Sequence, residues 1–184
     1  MQVTSSTLRR FQQSYLTLNL NTSQIEKEIF ENCKQLAKKK EQLEKEVVAL
    51  IKAKFDNQLI QNLESIPGIS GFMCSLILFC LNPVQSVKGW IGFIGLDVSV
   101  CQSGTWIGKG KLTKRGNPYF RKRLFMCAMG AVIHYPEFRQ IYESLKSKGR
   151  KHPEAINIIA RKLLKISHAV IVNKTGYNSQ FVAA

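Results

Sequence analysis

The sequence predicts a mainly α-helical protein: a long helical arm or coiled coil, then a compact helical domain with a helix-hairpin-helix element. Three observations carry that expectation. Apolar residues recur at helical spacing, most regularly at Ile29, Leu36, Leu43 and Leu50. No stretch alternates apolar and polar residues as a half-buried strand does. Proline, glycine and asparagine stand where helices should begin and end, as at Pro67-Gly68, Asn82-Pro83, Asn117-Pro118 and Gly149.

Taken in order, Ser5–Leu18 reads as a first helix, with Leu8, Phe11, Tyr15 and Leu18 on one side. Asn19–Ser23 breaks it, and Gln24–Phe55 reads as a long helix. Its heptad stripe is imperfect, because the partner positions are Cys33, Lys40 and Val47. Eight of the 12 acids lie between Glu26 and Glu64, mixed with lysines as on a solvated helix. Residues 1–58 are therefore expected to form an arm that self-associates or packs on another domain; a helix lying on its own domain accounts for the pattern equally well.

The domain proper is expected over residues 59–174. Leu59–Leu63 finishes a helix, Pro67–Gly71 turns, and Phe72–Leu81 starts another helix. In a helix-hairpin-helix the turn's amides and the next helix N-terminus face a DNA phosphate, which makes Gly68, Ser70 and Gly71 candidate contacts. A plain αα-corner is the commoner source of such a pattern, and Ser70 replaces the usual second glycine. Ser86–Ile94 reads as a short helix with Trp90 and Phe93 buried. Asn117-Pro118 caps a helix running to about His134, Pro136–Lys148 is closed by Gly149, and Pro153–Asn173 is the last helix. Residues 175–184 are expected to fray.

The 184 residues carry a net charge of +15, unevenly spread: from Ser65 onward there are 17 Lys and Arg against 4 Asp and Glu. An excess of that size repels itself unless a polyanion shares it, which points to nucleic acid. The longest apolar runs, Phe72–Leu81 and Leu124–Ile133, fall short of the ~20 residues of a membrane span, so no membrane partner is expected. The start of the chain is polar and reads as no signal peptide. Five cysteines without a C-x-x-C pair fit reduced thiols in a cytoplasm, and neither they nor the three histidines suggest a metal site.

The chemistry concentrates between Gly95 and Arg123. The front half holds one hydroxyl, Ser103, beside Gly104. The back half holds Lys109, Lys111, Lys114, Arg115, Asn117, Arg121, Lys122 and Arg123, with no acid after Asp97. Glycine-rich basic loops suit phosphate, because amides and cations both approach its oxygens. Arg121, Lys122 and Arg123 stand in the first turn of a helix, where the dipole disfavours positive charge, and a bound anion would reverse that penalty. Lys146, Lys148, Arg150 and Lys151 form a second basic cluster between the last two helices. A serine needs an activator to attack, and no histidine is near Ser103 in sequence, so on spacing alone Ser-Gly is first a turn and only second a nucleophile.

Four segments, I-P-G-I-S at 66–70, G-L-D-V-S at 95–99, Q-S-G at 102–104 and L-T-K-R-G-N-P-Y-F-R at 112–121, resemble in order and spacing the C-terminal domain of the IS-one-ten family of insertion-sequence transposases, the bridge-RNA-guided recombinases. The resemblance spans roughly Leu59 to Asn173, and the arm is similar to the coiled coil preceding that domain. It implies DNA cutting and joining through a serine that falls on Ser103, with Lys114, Arg115, Gly116, Asn117 and Arg121 on the family's basic element. It also implies DNA and a guide RNA as partners, a prokaryotic nucleoid-associated location, and Mg²⁺ held by four carboxylates of a RuvC-like domain. Nothing before residue 24 matches that domain, so the chain is expected to be the serine-bearing half, binding nucleic acid but recombining only when complemented. Val98 stands at a usual proline, and Phe79 and Asn82 stand where acids are common. Two rival expectations remain: a non-catalytic helix-hairpin-helix binding module or inactive transposase fragment, and a basic scaffold for structured RNA.

Overall fold

The computed structural model describes residue 13, residues 24–81, 86–99, 102–103, 106–107 and 110–179, and of residues 24, 25, 102, 103, 106, 107 and 111 the backbone alone. The expected helix over Ser5–Leu18 lies outside these residues except for Gln13. The chain divides into two units, 1–49 and 50–184.

In the first unit, helix α1 (Gln24–Lys54) begins where Gln24 was expected to start it, and it runs on past the unit's end. Its outer surface is laced by Lys34–Glu31, Lys40–Glu44 and Lys45–Glu41 ion pairs one helical turn apart. Such exposed pairs are screened by solvent and add little to stability. The stripe residues Ile29, Leu36 and Leu43 are 53%, 65% and 52% exposed.

In the second unit, α2 (Asn57–Glu64) is capped by Asp56, which accepts from Gln58 N at 3.2 Å. The turn Ile66–Ile69 follows, with Gly68 at φ 81°. A Cβ on Gly68 would overlap the Cys127 carbonyl oxygen and lie 3.2 Å from the Ala131 methyl, so the turn is pressed onto another helix. Ser70 caps α3 (Gly71–Leu76), accepting from Met73 N at 3.3 Å. The expected α-helix to Leu81 changes character: Ile77–Leu81 is a π-helical stretch whose wider turn buries Ile77, Leu78 and Leu81 and leaves Phe79 69% exposed. Asn82-Pro83, the expected stop, lies outside the described residues.

Helix α4 (Val87–Ile94) has Ser86 as its N-cap and ends at Gly95, φ 74°. There Leu96 N donates to Ile91 O at 3.0 Å and Gly95 N to Gly92 O at 2.9 Å, the paired bonds of a Schellman stop. The stretch expected to be plain loop holds two short antiparallel ladders instead. β1 (Val98–Ser99) pairs with β4 (Lys111–Leu112), and between them β2 (Gln102–Ser103) pairs with β3 (Trp106–Ile107). Two-residue strands show little alternation, which is why no sequence pattern announced them.

Helices α5 (Pro118–His134), α6 (Pro136–Ser147) and α7 (His152–Asn173) complete the domain. The buried face of α7, Ile156, Ile159, Ala160, Leu163, Leu164 and Ser167, is the face its spacing predicts. It packs on α2, α4, α5 and α6 and so forms the spine of the core. Trp90 is buried edge-on against His168, with ring centroids 5.1 Å apart. Phe93, expected beside it in the core, is 41% exposed. After α7 the chain is tied back: Asn62 donates to Lys174 O at 3.2 Å, Tyr177 N to Ser65 Oγ at 2.9 Å, and Tyr177 OH to Glu137 at 2.7 Å. The reading of 175–184 as a frayed end does not anticipate that anchor. No helix among the described residues is long and apolar enough to cross a membrane.

Candidate nucleic-acid interface

The basic turn is built where α4 stops and α5 starts. Gly95 reverses the chain, and the segment Thr113–Asn117 returns alongside it. Thr113 N donates to Asp97 O at 2.8 Å, Lys114 N to Gly95 O at 3.2 Å and Asn117 N to Phe93 O at 3.0 Å. A Cβ on Gly116 would overlap the backbone of Phe93, Ile94 and Gly95, so glycine is needed for this approach. Lys114 itself sits at φ 55°, a left-handed conformation that costs a side-chain-bearing residue about 1 kcal/mol. Asn117 then caps α5, its Oδ1 accepting from Tyr119 N at 3.0 Å and Phe120 N at 3.1 Å, with Pro118 preset as the first helical residue.

The cations of this turn divide by what they touch. Lys114, Arg115 and Lys122 are exposed. Arg121 is half-buried, and its Nη1 donates to Ile94 O at 2.8 Å. The positive group at the start of α5 therefore meets the negative end of α4, which offsets the penalty that its position implied. Arg123 is half-buried too. Its Nε and Nη2 donate to Tyr119 OH at 3.2 and 3.1 Å, and its guanidinium lies 5.0 Å from the Phe72 ring centroid and 5.4 Å from that of Tyr119. It clamps the first turn of α3 to the first turn of α5. The alternation Arg121–Lys122–Arg123, in–out–in, was not legible from charge alone; the Tyr119/Arg123 spacing of one turn was the available signal.

The hairpin candidates are likewise placed. Gly68 faces the backbone of α5, Ser70 is exposed with its hydroxyl engaged as a helix cap, and Gly71 opens α3. Below them Cys127 is half-buried, and its thiol is pushed up to about 11, mainly by desolvation, with Arg123 opposing. Cys74, one turn along α3, is pushed up to about 12, again chiefly by burial. Both are inert neutral thiols at physiological pH.

Ser103 stands in β2, its backbone opposite Trp106, and its side chain lies outside the description. Gly104 and Lys109 lie outside the described residues, and for Lys111 only the backbone pairing with Ser99 is described. The second cluster is built by a different connector. Lys148 ends α6, Gly149 turns at φ 78°, and Arg150 and Lys151 lead into α7, all exposed. Lys146 Nζ donates to Arg150 O at 3.2 Å and holds this connector closed. Among the described residues no group of three His, Cys, Asp or Glu is placed to hold a metal ion.

Comparison with known proteins meets this geometry. Residues 60–143, from α2 through α6, match the profile described as the transposase IS116/IS110/IS902 family. The chain is 24% identical over 144 residues to the insertion element IS110 uncharacterized 43.6 kDa protein of Streptomyces coelicolor, covering 77% of this chain and 35% of that protein. It is 33% identical over 114 residues to the pilin gene-inverting protein of Moraxella bovis and to that of Moraxella lacunata, covering 59% of this chain and 35% of each. The chain thus spans about a third of the length of the curated relatives it matches. The segment that contains the hairpin, the glycine-rich turn and the start of α5 is the part of the chain that is similar to the transposase IS116/IS110/IS902 family.

Proposed function

We propose that this chain is the DNA-binding, serine-bearing part of a transposase that cuts and joins DNA through Ser103. The observation that carries the reading is the turn joining α4 to α5. It is locked by Gly95, Gly116 and Asn117, presents Lys114 and Arg115 to solvent, and lies in the family-matching segment. The pilin gene-inverting relatives lend the same direction, since inversion of a gene rearranges DNA.

In this reading Lys114, Arg115 and Lys122 hold phosphates, with Lys148, Arg150 and Lys151 on a second backbone tract. Arg121 and Arg123 position the turn from within. The amides of Gly68–Gly71 add a phosphate contact at the start of α3. The Ser103 oxygen bonds to phosphorus as a phosphorus–oxygen bond to deoxyribose breaks, and the serine proton ends on the freed sugar hydroxyl. Attack by a second strand's hydroxyl reverses the step and rejoins the DNA. Neighbouring cations stabilise the charge that builds on the phosphoryl oxygens. The exposed Ile29, Leu36 and Leu43 stripe serves pairing with a second copy or with the metal-binding domain, and a guide RNA is a further polyanion for the basic surface.

The test is covalent capture. With an acidic metal-binding half supplied in trans, labelled insertion-end DNA should become linked to the chain and resist denaturant. Ser103→Ala should abolish the link and leave affinity unchanged. If Ser103→Ala is still captured, or capture never occurs although DNA binds, the non-catalytic binding module is the correct account. Recombination by the purified chain alone would overturn the proposed need for complementation.

A further inference from the structure

Phe93 departs most sharply from its expected place, and its surroundings say what the departure serves. It is on the last turn of α4, whose other apolar residues are buried (Trp90, Ile91 and Ile94) or half-buried (Val87). A helical side chain leans over the turn that precedes it, toward positions three and four residues back. For Phe93 these are Trp90, which faces the core, and Gly89, which has no side chain. The next residue back, Gly92, has none either. The ring is therefore left open on the outside of the helix, 41% exposed.

The same residue is tied to the cationic turn through its backbone. Phe93 O accepts from Asn117 N at 3.0 Å, and the adjoining Gly95 O accepts from Lys114 N at 3.2 Å. Lys114 and Arg115, both exposed, thus project from a segment hydrogen-bonded to the aromatic's own turn. The closest acid in sequence, Asp97, lies with its carboxylate against Gly92 and is the only acid between residues 65 and 136. An open aromatic ring beside backbone-tracking cations is the arrangement that holds unpaired nucleic acid, where cations take phosphates and the ring takes a base face.

We propose that Phe93 is a base-stacking residue, and that the α4–α5 turn engages an unpaired nucleotide, with Lys114 and Arg115 on its flanking phosphates. The inference rests on the nucleic-acid-binding reading above and adds to it a preference for bases that are out of the duplex. A splayed DNA strand and a single-stranded RNA loop offer the same π-face, so both are probes.

The experiment measures binding of the full chain to a labelled, non-self-pairing oligonucleotide as DNA, as RNA, and as the DNA duplex. Phe93→Ala is expected to weaken binding to the unpaired strand about five- to hundredfold, and to cost the duplex much less. Phe93→Trp should retain strand binding, with emission from the added indole quenched on contact, and Phe93→Leu should not. Because the side chain is exposed, thermal melting of each variant checks that folding is intact. Equal losses on strand and duplex, no loss on either strand, or full rescue by leucine would each overturn the proposal. Whichever of DNA and RNA shows the larger loss identifies the source of the unpaired base. Failure of the wild-type chain to bind any of the three would instead overturn the nucleic-acid reading itself.

Discussion

The Arg121 guanidinium donates to the Ile94 carbonyl oxygen at 2.8 Å, joining the first turn of α5 to the last residue of α4. Gly95 lies between them, and a Cβ there would come 2.9 Å from Arg121 Nη1. A positive side chain that reads as a phosphate ligand is thus a helix-end brace. Arg121→Ala should lower stability by about 1–3 kcal/mol, because it leaves a buried carbonyl without its charged donor. Thermal melting checks this, and Arg121→Lys should recover only part of the loss, since an ammonium lacks the planar fork.

Arg115 and Lys114 are the opposite case, exposed and free to reach outward. Arg115→Ala should weaken DNA binding and reduce the slope of log affinity against log salt by about one, with melting unchanged. The Arg121→Ala slope should stay near wild type once the protein is folded. Lys114→Gly separates two effects: it relieves the left-handed backbone at φ 55° and should stabilise the fold by up to about 1 kcal/mol, while costing one phosphate contact.

Gly68 is placed by packing against α5. Gly68→Ala should destabilise by about 2 kcal/mol or more, because the new methyl meets the Cys127 carbonyl and the backbone sits at φ 81°. Denaturant unfolding should show the loss as a lower midpoint.

The two thiols predict the alkaline limb of stability. Burial raises Cys127 to about 11 and Cys74 to about 12 from 9.0 in the unfolded chain. Folding therefore keeps protons that the unfolded chain releases. That contribution is complete below pH 9 and is lost as pH rises through about 11 and 12. Melting temperature should fall across that window, and Cys127→Ala should flatten the part near 11. Thiol-alkylating reagents should label both residues slowly at pH 8 until denaturant is added.

Tyr177 anchors the segment after α7 to Glu137 and Ser65. Tyr177→Phe should cost about 1–2 kcal/mol through the lost hydrogen bond to a carboxylate, and it should speed proteolysis near residue 174.

Helix boundaries were legible in the sequence because they are local chemistry. Asn117-Pro118, Ser86 and Gly149 act on amides and carbonyls within a few residues, and the buried face of α7 follows from 3.6-residue spacing. The surplus of positive charge over acid, and hence a polyanionic partner, was legible for the same reason: it is a sum over residues. What each cation does was not. Arg121, Lys122 and Arg123 are chemically alike and adjacent, yet only the packing of α4 and α3 against α5 turns two inward and leaves one outward. Phe93 and Trp90 are both aromatic on one short helix, and only the position of α7 decides which is covered. Burial is set by contacts between segments far apart in the chain, and no local pattern contains them.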